Sequence, residues 1–383
     1  MKRLAVVGAG FSGAVIAHQL AQAGYELDVF ETRPHIAGNC FTKQDPVTGI
    51  LIHVYGPHIF HTSNELVWEF IRKFDDFVPF TNRVKAIATG RVFSLPINLL
   101  TINQFFNKKF SPEEAETFIS SLGDKSIQEP STFEEQALKF LGRELYEAFF
   151  KSYTIKQWGV QPSELPASIL KRLPVRFNYD DNYYASRYQA LPRRGYTHVV
   201  ERLLDLPNIR VHLSTKFQRA RSRDYQHVFY SGPIDGWFDC SLGRLGYRTL
   251  DFVSERHRGD YQGNAVINYC DSDVAWTRIA EHKHFSPWDT HTETVIFKEF
   301  SRSCEQEDEP YYPLRLLKEK TLLAQYLELA KREPRTTFVG RLGTYRYIDM
   351  HVAVAEALEA AEKFLDAQRV NETLPPFLVN PLG

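Results

Sequence analysis

Three glycines near the start of the chain, Gly8, Gly10 and Gly13, have the spacing of a dinucleotide-binding turn. Gly8 permits a tight turn, Gly10 lets backbone N–H groups approach a pyrophosphate, and Gly13 lets the next helix pack closely on the preceding strand. An apolar run precedes these glycines, a helical pattern follows at residues 14–23, and a second apolar run ends at Glu31. Because an acidic residue at that place can hydrogen-bond an adenosine ribose, this order of elements predicts a dinucleotide site rather than an ordinary glycine turn.

Two histidines, His58 and His61, lie three residues apart directly after Gly56 and Pro57. An imidazole pair at this spacing could bind a metal ion if the segment were helical. The glycine and the proline favour a loop instead, and no third ligand is obvious nearby in the sequence. We therefore predict no metal site here and expect a structural or cofactor-facing loop.

Four later segments mix aromatic side chains with cations, a combination that could hold an anionic ligand. They are residues 153–176, 275–284, 309–313 and 340–350. A guanidinium fork binds phosphate through two hydrogen bonds, and tyrosine can stack on a ring while its hydroxyl binds phosphate. In the last segment, Asp349 places a carboxylate beside the free N–H groups of a predicted helix N-terminus. Composition alone favours a core tryptophan and a solvated basic face for the first segment, and allows a half-buried strand for the second.

The composition is that of an ordinary globular protein. Its 383 residues suggest two or three domains, and a hydrophobic content of 43% is ample for sizeable cores. A net charge of −1 provides no field to attract nucleic acid, so an anionic ligand must be held by a local arginine cluster. Neither a secretory pattern nor a spanning apolar run is present, which predicts a cytoplasmic protein without membrane contact. The four cysteines are scattered without a C-x-x-C pair, as expected of reduced thiols.

Four longer motifs are specific enough to indicate a family. They are Tyr-Thr-x-Lys-Gln-Trp-Gly at 153–159, Leu-Pro-Ala-Ser at 165–168, Arg-Phe-Asn-Tyr-Asp-Asp-Asn-Tyr-Tyr at 176–184 and Thr-Arg-Ile-x-Glu-His-Lys-His at 277–284. Together with the glycine turn they resemble, in order and spacing, the family of bacterial UDP-galactopyranose mutases, from residue 2 to about residue 364. Two departures are Ala37, where the family pattern has glycine, and Arg83, where many relatives carry histidine.

The resemblance implies a flavin-dependent isomerase. Relatives bind FAD and interconvert UDP-galactopyranose and UDP-galactofuranose, with N5 of the reduced flavin attacking the anomeric carbon of the sugar. Such an enzyme would supply furanose precursors for cell-surface glycans, depend on NAD(P)H or another reductant, and form a homodimer. Because the cofactor supplies the nucleophile, the protein has to hold the diphosphate, orient the hexose and exclude water.

The resemblance also assigns roles to individual residues. Arg172, Arg278 and His61 are expected to be catalytic, and the two arginines are expected to neutralise the diphosphate. The other substrate-binding positions are a uridine wall (Phe149, Phe150, Tyr153), the mobile-loop residue Trp158, phosphate-binding hydroxyls (Tyr183, Tyr312, Tyr347) and the sugar end (Arg248, Glu299). The cofactor-binding positions are Gly8, Gly10, Phe11, Ser12, Gly13, Glu31, Gly38, Asn39, His58, Phe217, Arg341, Tyr347, Asp349 and Met350.

The fold expected from this resemblance is α/β, with a discontinuous Rossmann-like FAD-binding domain formed by residues 1–79, 191–241 and 311–370. Residues 80–171 would form a mainly helical insertion that ends in the mobile substrate loop. Residues 172–190 and 242–310 would form an antiparallel substrate-binding sheet, and residues 371–383 an extended or disordered tail. Within the insertion, capping patterns predict helices that begin near Ser111 and Thr132.

Three other classes of protein share parts of this pattern. A flavin amine oxidase has the same glycine turn but needs no diphosphate clamp. A short-chain epimerase or reductase would bind NAD, yet its T-G-x-x-G-x-x-G start and its Tyr-x-x-x-Lys are absent. A non-catalytic flavoprotein would have no reason to keep Arg172, Trp158 and Arg278. The amine oxidase is therefore the nearest alternative.

Overall fold

Most strands of the protein are short, and two long neighbours dominate the larger sheet. The computed structural model describes residues 3–167, 169 and 175–382. The strands, numbered in chain order, are β1 (Arg3–Val7), β2 (Glu26–Phe30), β3 (Thr42–Gln44), β4 (Leu51–His53), β5 (Phe60–Thr62), β6 (Phe77–Pro79), β7 (Val84–Ala88), β8 (Arg91–Leu95), β9 (Tyr188–Pro192), β10 (Ile209–His212), β11 (His227–Tyr230), β12 (Tyr247–Arg258), β13 (Val266–Tyr269), β14 (Arg278–Glu281), β15 (Glu293–Ser303), β16 (Tyr312–Pro313) and β17 (Thr336–Phe338).

The helices cluster in the middle of the chain and at its end. They are α1 (Phe11–Gln22), α2 (Glu65–Ile71), α3 (Leu99–Phe106), α4 (Pro112–Leu122), α5 (Phe133–Leu145), α6 (Ser152–Trp158), α7 (Tyr196–Leu204), α8 (Ile234–Trp237), α9 (Leu317–Ala330), α10 (Gly340–Gly343) and α11 (Met350–Arg369). A π-helical turn, Tyr146–Lys151, joins α5 to α6. Within the described part of the chain, no helix combines the length and the apolar character that a membrane crossing requires.

A five-stranded parallel sheet positions the glycine turn. Its strand order is β10-β2-β1-β11-β17, and every neighbouring pair runs parallel. Leu4 and Val6 face a core that contains α1, α7 and α11, whereas Ala5 faces an opposite core with Val228 and Tyr326. Because both faces are covered, the central strands are continuous apolar runs. This sheet is the predicted Rossmann-like unit.

A seven-stranded sheet forms the second main element of the fold. Its order is β16-β12-β15-β14-β13-β7-β8, and every neighbouring pair is antiparallel except β13 with β7. The predicted antiparallel sheet is therefore present, but β7 and β8 come from the segment expected to be helical. Conversely, β9 does not join this sheet and pairs with β5 and β6 in a separate three-stranded sheet. Alternation around Gly90 predicts the β7–β8 hairpin locally, whereas its pairing with β13 joins residues that are distant in sequence.

The helical region starts with the caps that the sequence predicts. The Ser111 hydroxyl accepts the Glu114 N–H at 3.4 Å, and the Glu114 carboxylate accepts the Ser111 N–H at 2.7 Å. Thr132 and Glu135 form the same reciprocal pair at the start of α5. A capping contact of this kind contributes about 1 kcal/mol to helix stability. Gly142, at φ 75°, then bends the chain toward the π-helical turn and α6.

The C-terminal tail, expected to be extended or disordered, packs against the parallel sheet. The Phe338 N–H donates to the Pro376 carbonyl at 2.8 Å, and the Thr337 hydroxyl donates to the Pro375 carbonyl at 2.9 Å. The Phe377 ring stacks on Phe338 at 5.3 Å between centroids. Prolines suit this role because the tail supplies only its carbonyl groups to the edge strand β17.

Candidate active site

A cavity of about 740 Å³ opens beyond the carboxyl ends of β1, β2 and β11. This is the place at which parallel α/β sheets bind their ligands. Two of the predicted cofactor-binding residues, Gly13 and Tyr347, are not part of its wall. The predicted residues that line it are Gly8, Gly10, Phe11, Ser12, Glu31, Gly38, Asn39, His58, Phe217, Arg341, Asp349 and Met350.

The glycine turn has no room for side chains at Gly8 and Gly13. Gly8 has φ +102°, and a Cβ there would lie 2.1 Å from the Ser231 hydroxyl oxygen. A Cβ on Gly13 would lie 2.0 Å from the Gly8 carbonyl oxygen. Gly13 therefore affects the shape of the cavity although it is not part of the cavity wall. Gly10 is the N-cap of α1 and supplies no side chain to its first N–H groups. The uncapped helix N-terminus is therefore available to an anionic group.

Glu31 joins the end of β2 to the glycine turn. Its carboxylate accepts the Ala9 N–H at 2.9 Å and the Arg33 N–H at 3.0 Å. The Arg33 side chain also lines the cavity, donates to Asn39 Oδ1 at 2.8 Å and lies over the Tyr55 ring at 4.7 Å. Its Nη1 is buried without a partner among the described residues. A hydroxyl or phosphate of a bound dinucleotide would satisfy that nitrogen, so the donor set fits such a cofactor.

Several residues of this wall were not predicted from the sequence. They are Arg33, Cys40, Ser231 and Trp237. Ser231 directly follows β11, so the rule that ligands bind beyond the carboxyl ends of parallel strands could have indicated it. No local pattern in the sequence brings Trp237 to the same wall. Pro310, from the predicted segment 309–313, also lines it.

Ala37 shows why the family pattern has glycine at this position. Its backbone lies in the left-handed region at φ 71°, and its N–H donates to the Ala9 carbonyl at 2.9 Å. A non-glycine residue in that conformation costs of order 1 kcal/mol. The other departure, Arg83, is an exposed residue whose Nε donates to Asp181 at 3.0 Å. Arg83 therefore ties β7 to the segment that carries Tyr183.

A second cluster adjoins the cavity around Arg278 at the start of β14. Arg278 Nε donates to the buried Glu299 carboxylate of β15 at 2.7 Å. Burial is the largest single effect and disfavours the charge of this guanidinium, but Glu299, together with Tyr312 and Tyr153, raises the pKa of Arg278 by more than burial lowers it. Burial also raises the pKa of Tyr153, Tyr183 and Tyr312, although Arg278 lowers it in each case. The cluster thus combines a permanent cation with hydroxyls that stay protonated and can donate.

Aromatic rings connect this cluster to the cofactor cavity. The Trp158 ring at the end of α6 lies 6.4 Å from both Tyr312 and Tyr347, and the two tyrosine rings lie 5.3 Å apart. Arg341, which lines the cavity, lies over Tyr347 at 5.2 Å and over Tyr312 at 5.6 Å. Arg341 Nη2 also donates to the Ile348 carbonyl at 2.6 Å, which fixes the loop that leads to Asp349.

The structure does not group all the predicted substrate residues in this cluster. Phe149 and Phe150 are buried in the core of the helical region, where Phe149 packs on Phe93 at 5.2 Å. Arg248 is also buried, and it donates to the Gln157 carbonyl at 3.1 Å and to Ser301 Oγ at 3.1 Å. These contacts place Arg248 beneath the end of α6, and its role at the sugar end stays a prediction. Arg172 lies outside the described residues.

The two predicted loop histidines lie in different surroundings. His58 lines the cavity, and its Nδ1 lies 2.9 Å from the Gly56 carbonyl oxygen; burial, helped by Arg341, lowers its pKa to about 4. His61 lies in β5, stacks on Tyr184 at 3.7 Å between centroids and places its Nδ1 3.0 Å from Ser186 Oγ. Burial lowers its pKa to about 4 as well. Both imidazoles are therefore neutral at pH 7.

A group of possible metal ligands lies next to the cavity. His61, Asp349 and His351 each offer one ligand atom, and these atoms lie within 4.8 Å of one another. His58 is not a member of this group, so the spacing of the two loop histidines is not what brings possible ligands together. The prediction that no metal is bound stays a prediction.

Two family models match the amino-acid sequence. The model for UDP-galactopyranose mutase matches residues 148–347, and that for an NAD(P)-binding Rossmann-like domain matches residues 6–74. The chain is 57% identical over 378 residues to a probable UDP-galactopyranose mutase of Klebsiella pneumoniae, with 99% of this chain and 98% of that protein covered. It is 51% identical over 372 residues to a dTDP-fucopyranose mutase of Escherichia coli, with 95% and 99% covered.

Solved structures show the same fold. A crystal structure of reduced UDP-galactopyranose mutase superposes with a TM-score of 0.75 at 15% sequence identity and covers 96% of each chain. A cyclohexylamine oxidase from Brevibacterium oxydans superposes with a TM-score of 0.60 at 14% identity, covering 96% of this chain and 99% of the oxidase. At these identities the likeness concerns the fold alone, and it confirms the predicted α/β class.

Proposed function

Because the chain belongs to the UDP-galactopyranose mutase family, we propose that it interconverts UDP-galactopyranose and UDP-galactofuranose. The product would be a furanose precursor for cell-surface glycans. The observation that carries the proposal is the position of Arg278, held by Glu299 among tyrosine hydroxyls beside a dinucleotide cavity. An isomerase that uses a nucleotide sugar needs both parts, whereas a flavin oxidase needs only the cavity.

The cluster around Arg278 would hold the diphosphate. Among the described residues Glu299 engages only Nε, which leaves the Nη groups of Arg278 to donate to phosphate oxygens. Tyr183, Tyr312 and Tyr347 would add hydroxyl donors, since burial keeps Tyr183 and Tyr312 protonated. We propose Arg172 as the second cation on the strength of its motif alone.

The aromatic residues would bind the rest of the substrate and exclude water. We propose that Tyr153 contacts the uridine, and that Trp158 closes over the sugar, since its ring already lies near Tyr312 and Tyr347. Phe149 and Phe150 would support Tyr153 from the core beneath it. Water excluded from this site cannot hydrolyse an activated sugar, so a dry aromatic wall favours isomerisation over hydrolysis.

The cavity fits FAD, because its glycine turn admits no side chain at Gly8 or Gly13 and its wall offers Arg33 Nη1, which has no partner among the described residues. When bound and reduced, FAD would supply the nucleophilic N5 for attack on the anomeric carbon. Glu31 would hold the ribose, α1 the pyrophosphate, and Asp349 and Met350 would lie at the flavin end beside neutral His58. NAD(P)H or another reductant would keep the flavin reduced.

The E. coli relative supports a second candidate substrate. It is named a dTDP-fucopyranose mutase and is 51% identical to this chain, so a dTDP-sugar has to be compared with the UDP-sugar. The amine oxidase alternative gives no role to the Arg278–Glu299 pair. A homodimer, contacting through the helical region, and a cytoplasmic location remain proposals that rest on the family resemblance.

The test is an anaerobic assay of UDP-galactofuranose conversion by the FAD-loaded protein. Dithionite-reduced enzyme should give UDP-galactopyranose over many turnovers without consuming a stoichiometric amount of reductant, and oxidised enzyme should be nearly inactive. An amine oxidase predicts the reverse, because its substrate would bleach the oxidised flavin. Equal turnover with oxidised flavin would refute the mechanism that uses reduced flavin. Faster conversion of dTDP-fucopyranose than of the UDP-sugar would refute the proposed substrate.

A further inference from the structure

The Lys156 side chain binds an unusual number of backbone carbonyls. Its Nζ lies 2.7 Å from the carbonyl oxygen of Tyr269, 2.9 Å from those of Asp271 and Val274, and 3.2 Å from that of Trp276. An ammonium group has three N–H donors, so these four acceptors use its whole donor capacity. This set of four acceptors differs from the single contact that a lysine on the protein surface usually makes. Lys139 on α5, for example, donates only to the Gln128 carbonyl.

The four carbonyls belong to one connection in the large sheet. Residues 270–277 join the end of β13 to the start of β14, and Arg278 is the first residue of β14. Tyr269 and Thr277 close this connection, since the Tyr269 N–H donates to the Thr277 carbonyl at 2.8 Å. The Lys156 ammonium fills the interior of the loop in the way a small cation would. The position of Arg278 therefore depends on a residue of α6.

Arg248 holds α6 from the opposite side. Its Nε donates to the Gln157 carbonyl at 3.1 Å and to Ser301 Oγ at 3.1 Å, while its Nη1 donates to Ser303 Oγ at 3.3 Å. Ser301 Oγ also donates to the Gln157 carbonyl, at 2.6 Å. The helix ends at Gly159, which has φ +69° and where a Cβ would lie 2.4 Å from Arg248 Nη1. Arg248 thus caps the C-terminus of α6 and joins it to β12 and β15.

The acceptors of both cations in these contacts are neutral oxygens. A cation is favourable at a helix C-terminus, where the last carbonyls carry partial negative charge. In these contacts the buried Arg248 and the half-buried Lys156 bind carbonyl and hydroxyl oxygens and no carboxylate. This arrangement rigidly connects two strands of the sheet to the helix that carries the aromatic residues.

We propose that Lys156 and Arg248 form a two-cation clamp that fixes α6, with Tyr153 and Trp158, against the strands that carry Arg278 and Glu299. They are positioning residues and do not contact the reacting atoms. The clamp keeps the aromatic residues of α6 at a fixed distance from the phosphate-binding Arg278. A nucleotide diphosphate can then contact both at once. The functional consequence rests on the proposed function, whereas the mechanical coupling does not.

The substitution Lys156→Met tests the clamp, because methionine keeps the length and apolar stem of the side chain but removes the charge. Hydrogen exchange of the FAD-loaded protein should become faster in residues 153–159 and 270–277 and stay unchanged in the parallel sheet. In the isomerase assay the KM for UDP-galactofuranose should rise at least about tenfold, with a smaller effect on kcat. Lys139→Met is the matched control and should leave exchange in these segments, KM and kcat as in the wild type.

Lys156→Ala separates the clamp from a general packing defect. The vacated carbonyls should accept a small cation, so ammonium chloride should restore slow exchange in residues 270–277, while tetramethylammonium chloride of equal ionic strength should not. Equal effects of the two salts, uniform loosening of the whole chain, or wild-type exchange in Lys156→Met would overturn the clamp. If the wild-type enzyme converts no UDP-sugar, the proposed function is refuted. Faster exchange confined to residues 153–159 and 270–277 in Lys156→Met would still support the clamp.

Discussion

Removing the Arg278 guanidinium is the sharpest test of the phosphate-binding cluster. Glu299 occupies Nε among the described residues, so up to two Nη groups can reach a diphosphate. A hydrogen bond to a charged partner contributes about 1.5–3 kcal/mol, and two give about 3–6 kcal/mol. The side chain is one-quarter exposed, and water in the vacated site recovers part of this energy. We therefore expect Arg278→Ala to lower kcat/KM by roughly 30- to 1000-fold, equivalent to about 2–4 kcal/mol.

Arg278→Ala also leaves the buried Glu299 carboxylate without its partner, which would reduce stability. The double variant with Glu299→Gln removes that charge, so it should recover stability without recovering activity. Arg278→Lys should show an intermediate loss of about tenfold, because a point charge attracts phosphate but cannot form a fork.

The assay is anaerobic conversion of UDP-galactofuranose, with rates normalised to bound flavin measured by absorbance. Arg302→Ala is a suitable control, since Arg302 is an exposed residue of β15 that pairs with Asp251 at 2.7 Å. Activity of Arg278→Ala within about threefold of wild type, at equal flavin content, would remove this residue from the phosphate-binding role. Recovery of activity in the double variant would show that the loss came from the unpaired carboxylate.

Three further predictions concern stability and cofactor binding. Burial lowers the pKa of His282 to about 3 and that of His58 to about 4, whereas an unfolded histidine titrates near 6.5. The unfolded chain therefore gains protons first as the pH falls, and the free energy of unfolding from urea titrations should decrease between pH 7 and 5.5 by about 1 kcal/mol per histidine; equal free energies would contradict this. Ala37→Gly should stabilise the apoprotein by about 0.5–1 kcal/mol in urea unfolding, since glycine adopts φ 71° without strain; a destabilised variant would count against it. Gly13→Ala should lose bound flavin on gel filtration, since its Cβ would lie 2.0 Å from the Gly8 carbonyl oxygen, and full flavin retention would refute that reading of the turn.

Local patterns predicted the parts of this protein whose structure depends on neighbouring residues. The glycine turn needs Gly8 and Gly13 because their Cβ positions are occupied, and that requirement is visible as spacing in the chain. The capping boxes at Ser111 and Thr132 are visible for the same reason, since donor and acceptor lie three residues apart. Glu31, predicted from the order of strand, glycine turn, helix and second strand, lines the cavity because the carboxyl ends of parallel strands share one edge.

Tertiary structure decided what depends on contacts between distant segments. Alternation predicted strands near Gly90, but only the pairing of β7 with β13 places them in the large sheet. Proline content predicted an extended or disordered tail, and it could not show that the tail carbonyls accept hydrogen bonds at the edge of β17. A motif cannot show which acceptors surround a charge, so the contacts of Arg248 and Lys156 with neutral oxygens were not predicted. Their partners, the carbonyls of α6 and of residues 269–276, become neighbours only when the sheet and the helical region pack together.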